Sequence, residues 1–469
     1  MRHYVTIDIG ASSGRVMLAD VDKDLVFKEV HRFKNGFHKS TGHERWDIQM
    51  IYQEILQGLS KLKGLGVEEC FLGIDTWAVD YCLIDTDGKL LAQPISYRDS
   101  RTDQTIDKVT QQMSKQDIYQ RTGVQFLDFN TLFQLYEEDP ALLKQTDQIL
   151  MIPDYLTYLL TGKKVGEVTN ASTTQLLNVD TREYDETILA LLQLKRTQFP
   201  ELVEPGTIVG KVKDTLQLAH NLPDIHVVSV ATHDTASAIV GIPVKNDNWA
   251  YISSGTWSLI GVETQRPIRS KESYEANYTN EWGAFGTYRF LKNINGMWIV
   301  QEVARQLGYR YSYPELADMA AQQKPFQQFI DFTDARFKHP ISMIDEIKDY
   351  CKEHNEIVPS TLGEVVMSIY SSLAVSYAKE LERIERLTNL PIDAVHVVGG
   401  GSQVRLLNQL TADASGKQVV AGPTEGTALG NLLVQMIADN RFSTIKEARR
   451  WLESHIQTET VNPTKEAIQ

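Results

Sequence analysis

The stretch VTIDIGASSGRVMLAD, Val5 to Asp20, places a turn rich in glycine and serine between two apolar segments. Apolar residues alternate on both sides of this turn, which predicts two antiparallel strands joined as a β-hairpin. A tight turn explains the glycines, because glycine adopts backbone conformations that other residues avoid. It explains neither the carboxylate of Asp8, where the first strand ends, nor the cation of Arg15, where the second begins. These two charged residues therefore need a further reason.

A similar stretch recurs in the second half of the chain. With Gly255 aligned to Gly10, AYISSGTWSLIGVE (250–263) repeats the order of an apolar strand, small polar residues, a glycine and a second apolar strand. The two copies lie near the starts of the two halves, as expected of a protein built from two similar lobes. Turns of this kind can present backbone N–H groups to a phosphate chain held between them.

Length and composition limit the possible functions. A chain of 469 residues fits two or three domains, and 42% hydrophobic with 23% charged residues is typical of a globular protein. The formal charge of −14 argues against nucleic acid or an anionic membrane as the main partner, because both require clustered Lys and Arg. No signal-like apolar segment follows Met1 and no later apolar run is long enough to span a membrane, so a cytoplasmic location is expected. The oligomeric state is left open.

Cysteine usage fits a reducing compartment. Cys70, Cys82 and Cys351 have no metal-binding spacing, and an odd number fits a disulfide framework poorly. We therefore expect three buried, reduced thiols.

Strand-like and helix-like patterns alternate along the chain, which predicts an α/β fold. Helical periodicity is clearest in residues 48–62, in residues 362–387 and after Gly430. The polar stretch Gly241 to Asn248 combines glycine, proline and charge, so it is the best candidate for a domain junction.

The stretch VVSVATHDTASAIVG (227–241) predicts a strand, then His233-Asp234-Thr235, then a helix of small residues. Ligands of α/β sheets bind at the carboxyl ends of strands, where Asp234 could accept a proton from a substrate hydroxyl. In an alternative interpretation, Asp234 or Thr235 only caps the helix.

A glycine triplet, Gly399 to Gly401, follows the apolar segment 394–398. A dinucleotide-binding fingerprint requires a further glycine where Val404 stands, so that fold is not predicted. The chain also lacks GxxxxGK[ST] and the HRDxxxxN and DFG motifs of protein kinases. The triplet either contacts a ligand or allows tight packing.

Taken together, these motifs resemble the FGGY carbohydrate kinases. Four motifs occur in the order of that family, namely DIGASSGR (8–15), THDTASA (232–238), SGT (254–256) and GGGSQ (399–403). The resemblance extends over roughly residues 4–440 and includes GIDTWAVDY (73–81), SYRDSRT (96–102) and KNINGMWIVQE (292–302). The resemblance implies two actin-like or hexokinase-like (ribonuclease H-like) ATPase domains with an interdomain cleft. The expected divisions are an N-terminal domain 1–243, a C-terminal domain 244–440 and a helical tail 441–469.

The implied activity is ATP-dependent phosphorylation of a ketose at its 1-hydroxyl, with ATP and Mg²⁺ as cofactors and small molecules as the only partners. The expected substrate is L-rhamnulose, converted to L-rhamnulose 1-phosphate in L-rhamnose degradation. L-fuculose, L-ribulose and D-xylulose are alternatives within the family. A non-catalytic sugar- or nucleotide-binding regulator is an alternative from another class.

The resemblance also implies roles for individual residues. Asp234 would be the proton acceptor, and the sugar would be contacted by Ala78, His233, Thr235 and Asn293. The ATP phosphates would be held by Ala11, Ser12, Ser13, Gly14, Arg15 and Thr256. Gln301 would lie in the nucleotide site, the backbone of Gly400 and Gly401 would border the adenosine, and Asp8 would orient Mg²⁺ through water.

Four features stay open at this stage. Arg15 could instead be a solvated surface residue, and the segment around Tyr97 to Arg101 could form a surface ion-pair network rather than line the site. The polar loop 35–47 could reach over the sugar, while Asp47 is expected to cap a helix starting at Ile48. Val404 replaces the Asn usual after GGGSQ, which puts a side-chain hydrogen bond from this position to the nucleotide in question but leaves the approach of the glycine backbone intact.

Overall fold

The computed structural model describes residues 3–21, 24–244, 246–338 and 340–464. The chain forms two compact units that are discontinuous in sequence. The first comprises Met1–Pro243, Glu263–Phe290 and Gly426–Ile456, and the second comprises Val244–Val262, Leu291–Glu425 and Gln457–Gln469. The consecutive divisions at 243/244 and 440/441 stay a prediction. Lys245 of the proposed junction and residues 465–469 of the proposed tail lie outside the described residues.

The strands of the described chain are β1 His3–Ile9, β2 Ser13–Asp20, β3 Val26–Lys34, β4 Phe37–Ser40, β5 His43–Trp46, β6 Glu69–Thr76, β7 Tyr81–Ile84, β8 Gln148–Met151, β9 Val165–Glu167, β10 Leu177–Asn178, β11 Glu183–Tyr184, β12 Glu201–Val203, β13 Thr207–Lys211, β14 Asp224–Ser229, β15 Trp249–Ser254, β16 Trp257–Thr264, β17 Thr279–Trp282, β18 Tyr288–Asn295, β19 Ala394–Val398, β20 Gln418–Ala421 and β21 Glu459–Val461.

The helices are α1 Ile48–Ser60, α2 Thr105–Thr110, α3 Lys115–Thr122, α4 Thr131–Tyr136, α5 Pro140–Gln145, α6 Ile152–Thr161, α7 Val168–Ala171, α8 Glu186–Leu191, α9 Asp214–His220, α10 Asp234–Val240, α11 Lys271–Glu275, α12 Trp298–Gln306, α13 Tyr313–Ala321, α14 Met343–Glu353, α15 Leu362–Thr388, α16 Arg405–Ser415, α17 Gly426–Ala438 and α18 Ile445–Glu453. None of the helices among the described residues combines the length and apolarity needed to cross a bilayer.

The first unit is built on a sheet in the order β13-β14-β6-β1-β2-β3. The central strands β14, β6 and β1 are parallel, whereas β1 and β2 form the antiparallel hairpin predicted from the opening stretch, with Asp8 opposite Arg15. Apolar side chains of α1 and β1 belong to one buried core, and Asp47 caps α1 by accepting the N–H of Met50, as predicted. This arrangement places the carboxyl ends of β14, β6 and β1 at one edge of the sheet.

Helices α10 and α17 of the first unit approach each other closely through glycines. A Cβ added at Gly430 would lie 1.7 Å from the carbonyl oxygen of Ser237, and one at Gly241 would lie 2.2 Å from that of Gly426. Since Cβ atoms do not approach backbone oxygen so closely, only glycine fits at either position. Helix α17 begins at Gly426, four residues before Gly430, after which periodicity predicted a helix.

The second unit contains the repeated hairpin. Strands β15 and β16 pair antiparallel with Ser254 opposite Ser258, as predicted, while β15, β19 and β20 run parallel. Helix α15 confirms the predicted helix at 362–387 and begins with a capping box formed by Thr361 and Glu364. Gly399 lies in the left-handed region, at φ +81°, where a Cβ would be 2.8 Å from the carbonyl oxygen of Ser254.

The three cysteines are free and buried, as predicted. Burial raises the pKa of the Cys70 thiol to about 12, so this thiol stays protonated and unreactive.

Candidate active site

Three carboxylates converge at the carboxyl ends of the central parallel strands. Asp8 near the end of β1 lies opposite Asp75 of β6, and Asp234 is the first residue of the helix that follows β14. Asp75 is fully buried, and its Oδ2 accepts a hydrogen bond of 2.6 Å from Asn431 of α17. Its Oδ1 has no hydrogen-bond partner among the described residues. The fold therefore leaves one buried carboxylate oxygen unsatisfied beside two further acids.

Burial and neighbouring acids raise the pKa values of Asp75 and Asp234. Burial raises the pKa of Asp75 well above its ordinary value, and the charges of Asp8 and Asp234 add to this shift. Burial raises the pKa of Asp234 to about 6, with the charge of Asp8 as the second cause. A cation would relieve this repulsion, and carboxylate oxygens are the ligands that Mg²⁺ prefers. The site therefore suits a divalent cation held by Asp8 and Asp75.

Asp234 has one constrained carboxylate oxygen and one that is available. Its Oδ1 accepts the backbone N–H of Thr235 at 2.5 Å and the Thr235 hydroxyl at 3.1 Å. Its Oδ2 receives no hydrogen bond from the described residues, and 34% of the side chain is exposed. The N-cap of α10 is His233, so the interpretation of Asp234 or Thr235 as the N-cap is wrong. Oδ2 is thus placed to take a proton from a bound hydroxyl.

The turn between β1 and β2 is closed by backbone contacts. Gly10 N–H donates to the Ser13 carbonyl at 2.9 Å, and the Asn35 side chain donates to the Gly10 carbonyl at 2.8 Å. The N–H groups of Ala11 and Ser12 find no acceptor within the described chain. Such paired, unclaimed donors at a rigid turn are suited to phosphate oxygens.

Arg15 is not a solvated surface residue, so that alternative is wrong. Its guanidinium donates to Asp8 Oδ2 at 2.8 Å, and its side chain is only 20% exposed. The ion pair brings a positive charge to the edge of the acidic cluster, beside the unclaimed N–H groups of the turn.

The loop after β6 surrounds a second buried acid, Asp80. Its Oδ2 accepts hydrogen bonds from the indoles of Trp46 at 2.6 Å and Trp77 at 3.0 Å, and from Tyr97 N–H at 3.1 Å. The two indole rings lie 4.2 Å apart. Burial raises the pKa of Asp80 to about 6. Asp80 therefore joins its own loop to the segments around Trp46 and Tyr97.

Ala78 lies at the tip of this loop, half-buried and next to a strained residue. Val79 has φ +66°, which is uncommon for a β-branched side chain, and its carbonyl accepts the Thr131 hydroxyl at 2.7 Å. The loop begins beside the predicted base, because Thr76 pairs with His233 and donates its N–H to the Thr232 carbonyl at 2.9 Å. Strain of this kind is typical of binding loops.

The segment around Tyr97 to Arg101 packs inward. Asp99 accepts the N–H of Glu44 at 2.8 Å, and Arg101 is buried against Glu138 at 3.1 Å. Asp99 and Arg101 therefore do not belong to a surface network, whereas Arg98 is exposed and donates to the Tyr97 hydroxyl. Loop 35–47 forms the hairpin β4–β5, which delivers Trp46 to Asp80. Contact of either segment with a sugar stays a prediction.

The second unit contains a cavity of about 980 Å³ that brings together four predicted nucleotide residues, namely Thr256, Gln301, Gly400 and Gly401. The other lining residues are Gly255, Met297, Tyr313, Pro314, Ala317, Asp318, Ala321, Gln403, Val404, Arg405, Leu406 and Gln409. Its size suits a nucleoside. Asn293 lies on the part of β18 that belongs to the second unit and is not part of this lining.

Val404 occupies the N-cap of α16 but offers no side-chain hydrogen bond. An Asn here would accept an N–H of the first turn, so the departure from the family pattern removes a helix cap. The approach of Gly400 and Gly401 to the cavity is unaffected.

Sequence reasoning missed Asp75, although a signal for it exists. Each strand has Ile-Asp just before its last residue, at Asp8 and at Asp75, and parallel neighbours align such residues. The buried pair Arg289 and Glu281 was also missed, and no pattern in its segment points to a site.

Comparison with known proteins identifies the family of the chain. Residues 3–241 match the N-terminal domain of the FGGY family of carbohydrate kinases, and residues 250–438 match its C-terminal domain. The chain belongs to the FGGY family of carbohydrate kinases.

Relatives of this FGGY kinase include a rhamnulokinase from Bacillus subtilis, 52% identical over 98% of this chain and 95% of the relative. A rhamnulokinase from Lactiplantibacillus plantarum is 50% identical over 97% of this chain and 93% of the relative. Among solved structures, ligand-bound xylulose kinase from Lactobacillus acidophilus superposes with a TM-score of 0.84 at 16% identity, covering 99% of this chain and 94% of that one. This structural likeness confirms the two-domain actin-like, ribonuclease H-like fold expected from the sequence.

Proposed function

We propose that this FGGY kinase transfers the terminal phosphate of ATP to the 1-hydroxyl of L-rhamnulose. The observation that carries the kinase chemistry is Asp234, whose Oδ1 is constrained by Thr235 while its Oδ2 is available beside an acidic cluster. The choice of sugar rests on rhamnulokinase relatives about 50% identical over nearly the whole chain.

In the proposed reaction, the sugar oxygen forms a bond to the terminal phosphorus and ADP leaves. The hydroxyl proton passes to Oδ2 of Asp234. A pKa of about 6 keeps this carboxylate deprotonated near pH 7 while leaving it basic enough to accept the proton. His233, Thr235, Ala78 and Asn293 are the proposed sugar contacts.

The hairpin turn of the first unit is the proposed phosphate site. The unclaimed N–H groups of Ala11 and Ser12 would donate to phosphate oxygens, and Ser13, Gly14 and Arg15 complete the turn. Preorganised donors matter here because phosphoryl transfer depends on positioning and charge neutralisation more than on covalent help from the protein.

Asp8 and Asp75 are the residues proposed to hold Mg²⁺. The unsatisfied Oδ1 of Asp75 and the mutual repulsion of the acids support this assignment. When bound, the ion would neutralise charge on the phosphates.

The cavity of the second unit is proposed to take the nucleoside of ATP. Thr256 would face the phosphates, Gln301 would lie in the nucleotide site, and the backbone of Gly400 and Gly401 would border the adenosine. The glycines permit this approach because no side chain stands between the backbone and the ligand.

The test measures ADP release with Mg-ATP against L-rhamnulose, L-fuculose, L-ribulose, D-xylulose and glycerol, for the wild type and Asp234→Asn. Loss of the base should lower kcat by about 100-fold or more while sugar binding persists. Asp214→Asn is the matched control, because Asp214 also starts a seven-residue helix but is remote from the acids in sequence and exposed.

The outcomes separate the candidates. A preference for L-rhamnulose that collapses only in Asp234→Asn supports both the sugar and the base. Preference for another ketose refutes the sugar and keeps the kinase. ATP binding without turnover on any sugar favours the regulator.

A further inference from the structure

A buried arginine lies directly behind the proposed sugar-binding histidine. Arg289 of β18 is 1% exposed, and its Nη2 lies 3.1 Å from His233 Nδ1. The same nitrogen donates to Glu281 Oε2 at 2.8 Å, and Nε donates to the Trp282 carbonyl at 3.5 Å. Neither Arg289 nor Glu281 has a role in the reaction described above.

The chemistry of the contact determines the tautomer of His233. A guanidinium has only donors, so Nδ1 of His233 must present its lone pair to Arg289. In a neutral imidazole the proton then resides on Nε2. Burial and the positive charge of Arg289 also hold the pKa of His233 well below its ordinary value. The ring is therefore neutral with a single N–H.

That N–H is on the side of the proposed base. His233 Nε2 lies 3.5 Å from Asp234 Oδ1, and the charged groups that face the ring are Arg289, Glu281 and Asp234. Because Thr235 already donates twice to this oxygen, Nε2–H is available to a sugar oxygen that binds beside Asp234. A histidine in the other tautomer would offer a lone pair there instead.

The buried pair is poorly explained by stability. Arg289 and Glu281 are both buried, and Nη1 of Arg289 has no hydrogen-bond partner among the described residues. Burying an incompletely satisfied ion pair generally gains nothing over apolar residues of similar volume. A role in orienting His233 accounts for the presence of the buried pair Arg289 and Glu281.

We propose that Arg289, held by Glu281, is a positioning residue that fixes His233 as a neutral Nε2–H donor to the sugar. The sugar part of this proposal rests on the proposed function. Glu281 is the reason that the tautomer of His233 should change when Arg289 is removed, because its carboxylate lies 3.6 Å from His233 Nδ1. Without Arg289, this carboxylate would be the nearest partner of Nδ1 and would draw the proton to it.

The experiment records two-bond ¹H–¹⁵N correlation spectra of full-length protein labelled with ¹⁵N-histidine, without substrates, and assigns His233 by its loss in His233→Asn. Arg289→Met should move the proton to Nδ1, whereas Arg289→Lys, which still only donates, should keep it on Nε2. Arg449→Met is the matched control, because Arg449 is also buried and paired with a glutamate, at 2.7 Å from Glu263, near the other end of α10. The KM values for L-rhamnulose and Mg-ATP are measured for each variant.

We expect His233 to be the Nε2–H tautomer in the wild type and to lose this tautomer in Arg289→Met. In Arg289→Met, KM for L-rhamnulose should rise by about tenfold because one hydrogen bond to the sugar is lost, while KM for Mg-ATP should be unchanged. An Nδ1–H or charged His233 in the wild type overturns it, even where Arg289→Met does not fold. An unchanged tautomer in Arg289→Met, or a changed one with an unchanged KM, also overturns it. The spectra need no turnover, so a failure of the proposed function is seen separately, as absence of ketose phosphorylation.

Discussion

The acid limb of the pH profile should belong to Asp234. Burial raises the pKa of this carboxyl to about 6, and only the deprotonated form can accept the hydroxyl proton. The activity should therefore be maximal well above pH 6 and should decrease as the pH falls through the pKa of Asp234. For a pKa of about 6, the deprotonated fraction is about 0.9 at pH 7 and about 0.09 at pH 5, so kcat/KM should fall roughly tenfold.

Thr235→Val should move this limb. The substitution removes the hydroxyl that lies 3.1 Å from Asp234 Oδ1 and leaves the backbone N–H at 2.5 Å. Such a hydrogen bond to a carboxylate that is one-third exposed is worth about 1 kcal/mol, and about 1.4 kcal/mol corresponds to one pKa unit. The pKa should thus rise by about 0.7 unit, to about 6.7.

The assay is kcat/KM for L-rhamnulose at saturating Mg-ATP, measured from about pH 5 to about pH 8.5. Thr235→Ser keeps the hydroxyl and is the matched control. Titration of ATP itself is common to all three proteins and cancels in the comparison. If Thr235→Val and Thr235→Ser share the wild-type limb, the limb does not belong to Asp234 and the reasoning fails.

Three further predictions concern the framework of the site. Because burial and Asp8 disfavour the charge of Asp75, Asp75→Asn should raise Tm at pH 8 without Mg²⁺. The gain should vanish only well below about pH 4, where Asp75 is protonated in the folded and the unfolded state. Mg²⁺ should raise Tm of the wild type only, and an unchanged Tm at pH 8 would contradict this prediction. Val404→Asn should supply the missing cap of α16 and raise the free energy of unfolding, measured in urea, by about 1 kcal/mol. KM for ATP should not increase. An unchanged free energy of unfolding would mean that the cap does not form. Gly430→Ala should lower the free energy of unfolding by about 1–3 kcal/mol in the same assay, because its Cβ would meet the Ser237 carbonyl at 1.7 Å. Gly64 has open space around it, so Gly64→Ala should change this free energy by no more than about 0.5 kcal/mol. Equal effects of the two substitutions would refute the packing argument.

Local patterns in the sequence were sufficient for the elements that carry the predicted motifs. Alternation around the turns at Gly10 and Gly255 predicted both hairpins, and apolar periodicity predicted α1 and α15. The cap at Asp47 also followed from residue type and position. Each of these depends on neighbours within a few residues, which a sequence displays directly.

The roles given to the individual site residues stay predictions, but the structure determines which of them meet. Within the first unit it brings Asp8, Arg15 and Asp234 together, and within the second it gathers Thr256, Gln301 and the glycines around one cavity. It also shows that Arg15 is held against Asp8 and that His233 takes the cap position expected of Asp234 or Thr235.

The sequence by itself determined the hairpins, the α/β alternation, the family and the residues that carry its motifs, because these depend on local spacing. Only the tertiary structure decided that Asp75 joins Asp8, that Asp80 binds two indoles, and that Arg289 lies behind His233. Apart from the bond between Asp80 and Trp77, these contacts join residues tens of positions apart, which local spacing does not bring together. The pairing of β1 with β6 aligns Asp8 with Asp75. Burial also raises the pKa of Asp234, since a charge needs a partner once water is excluded.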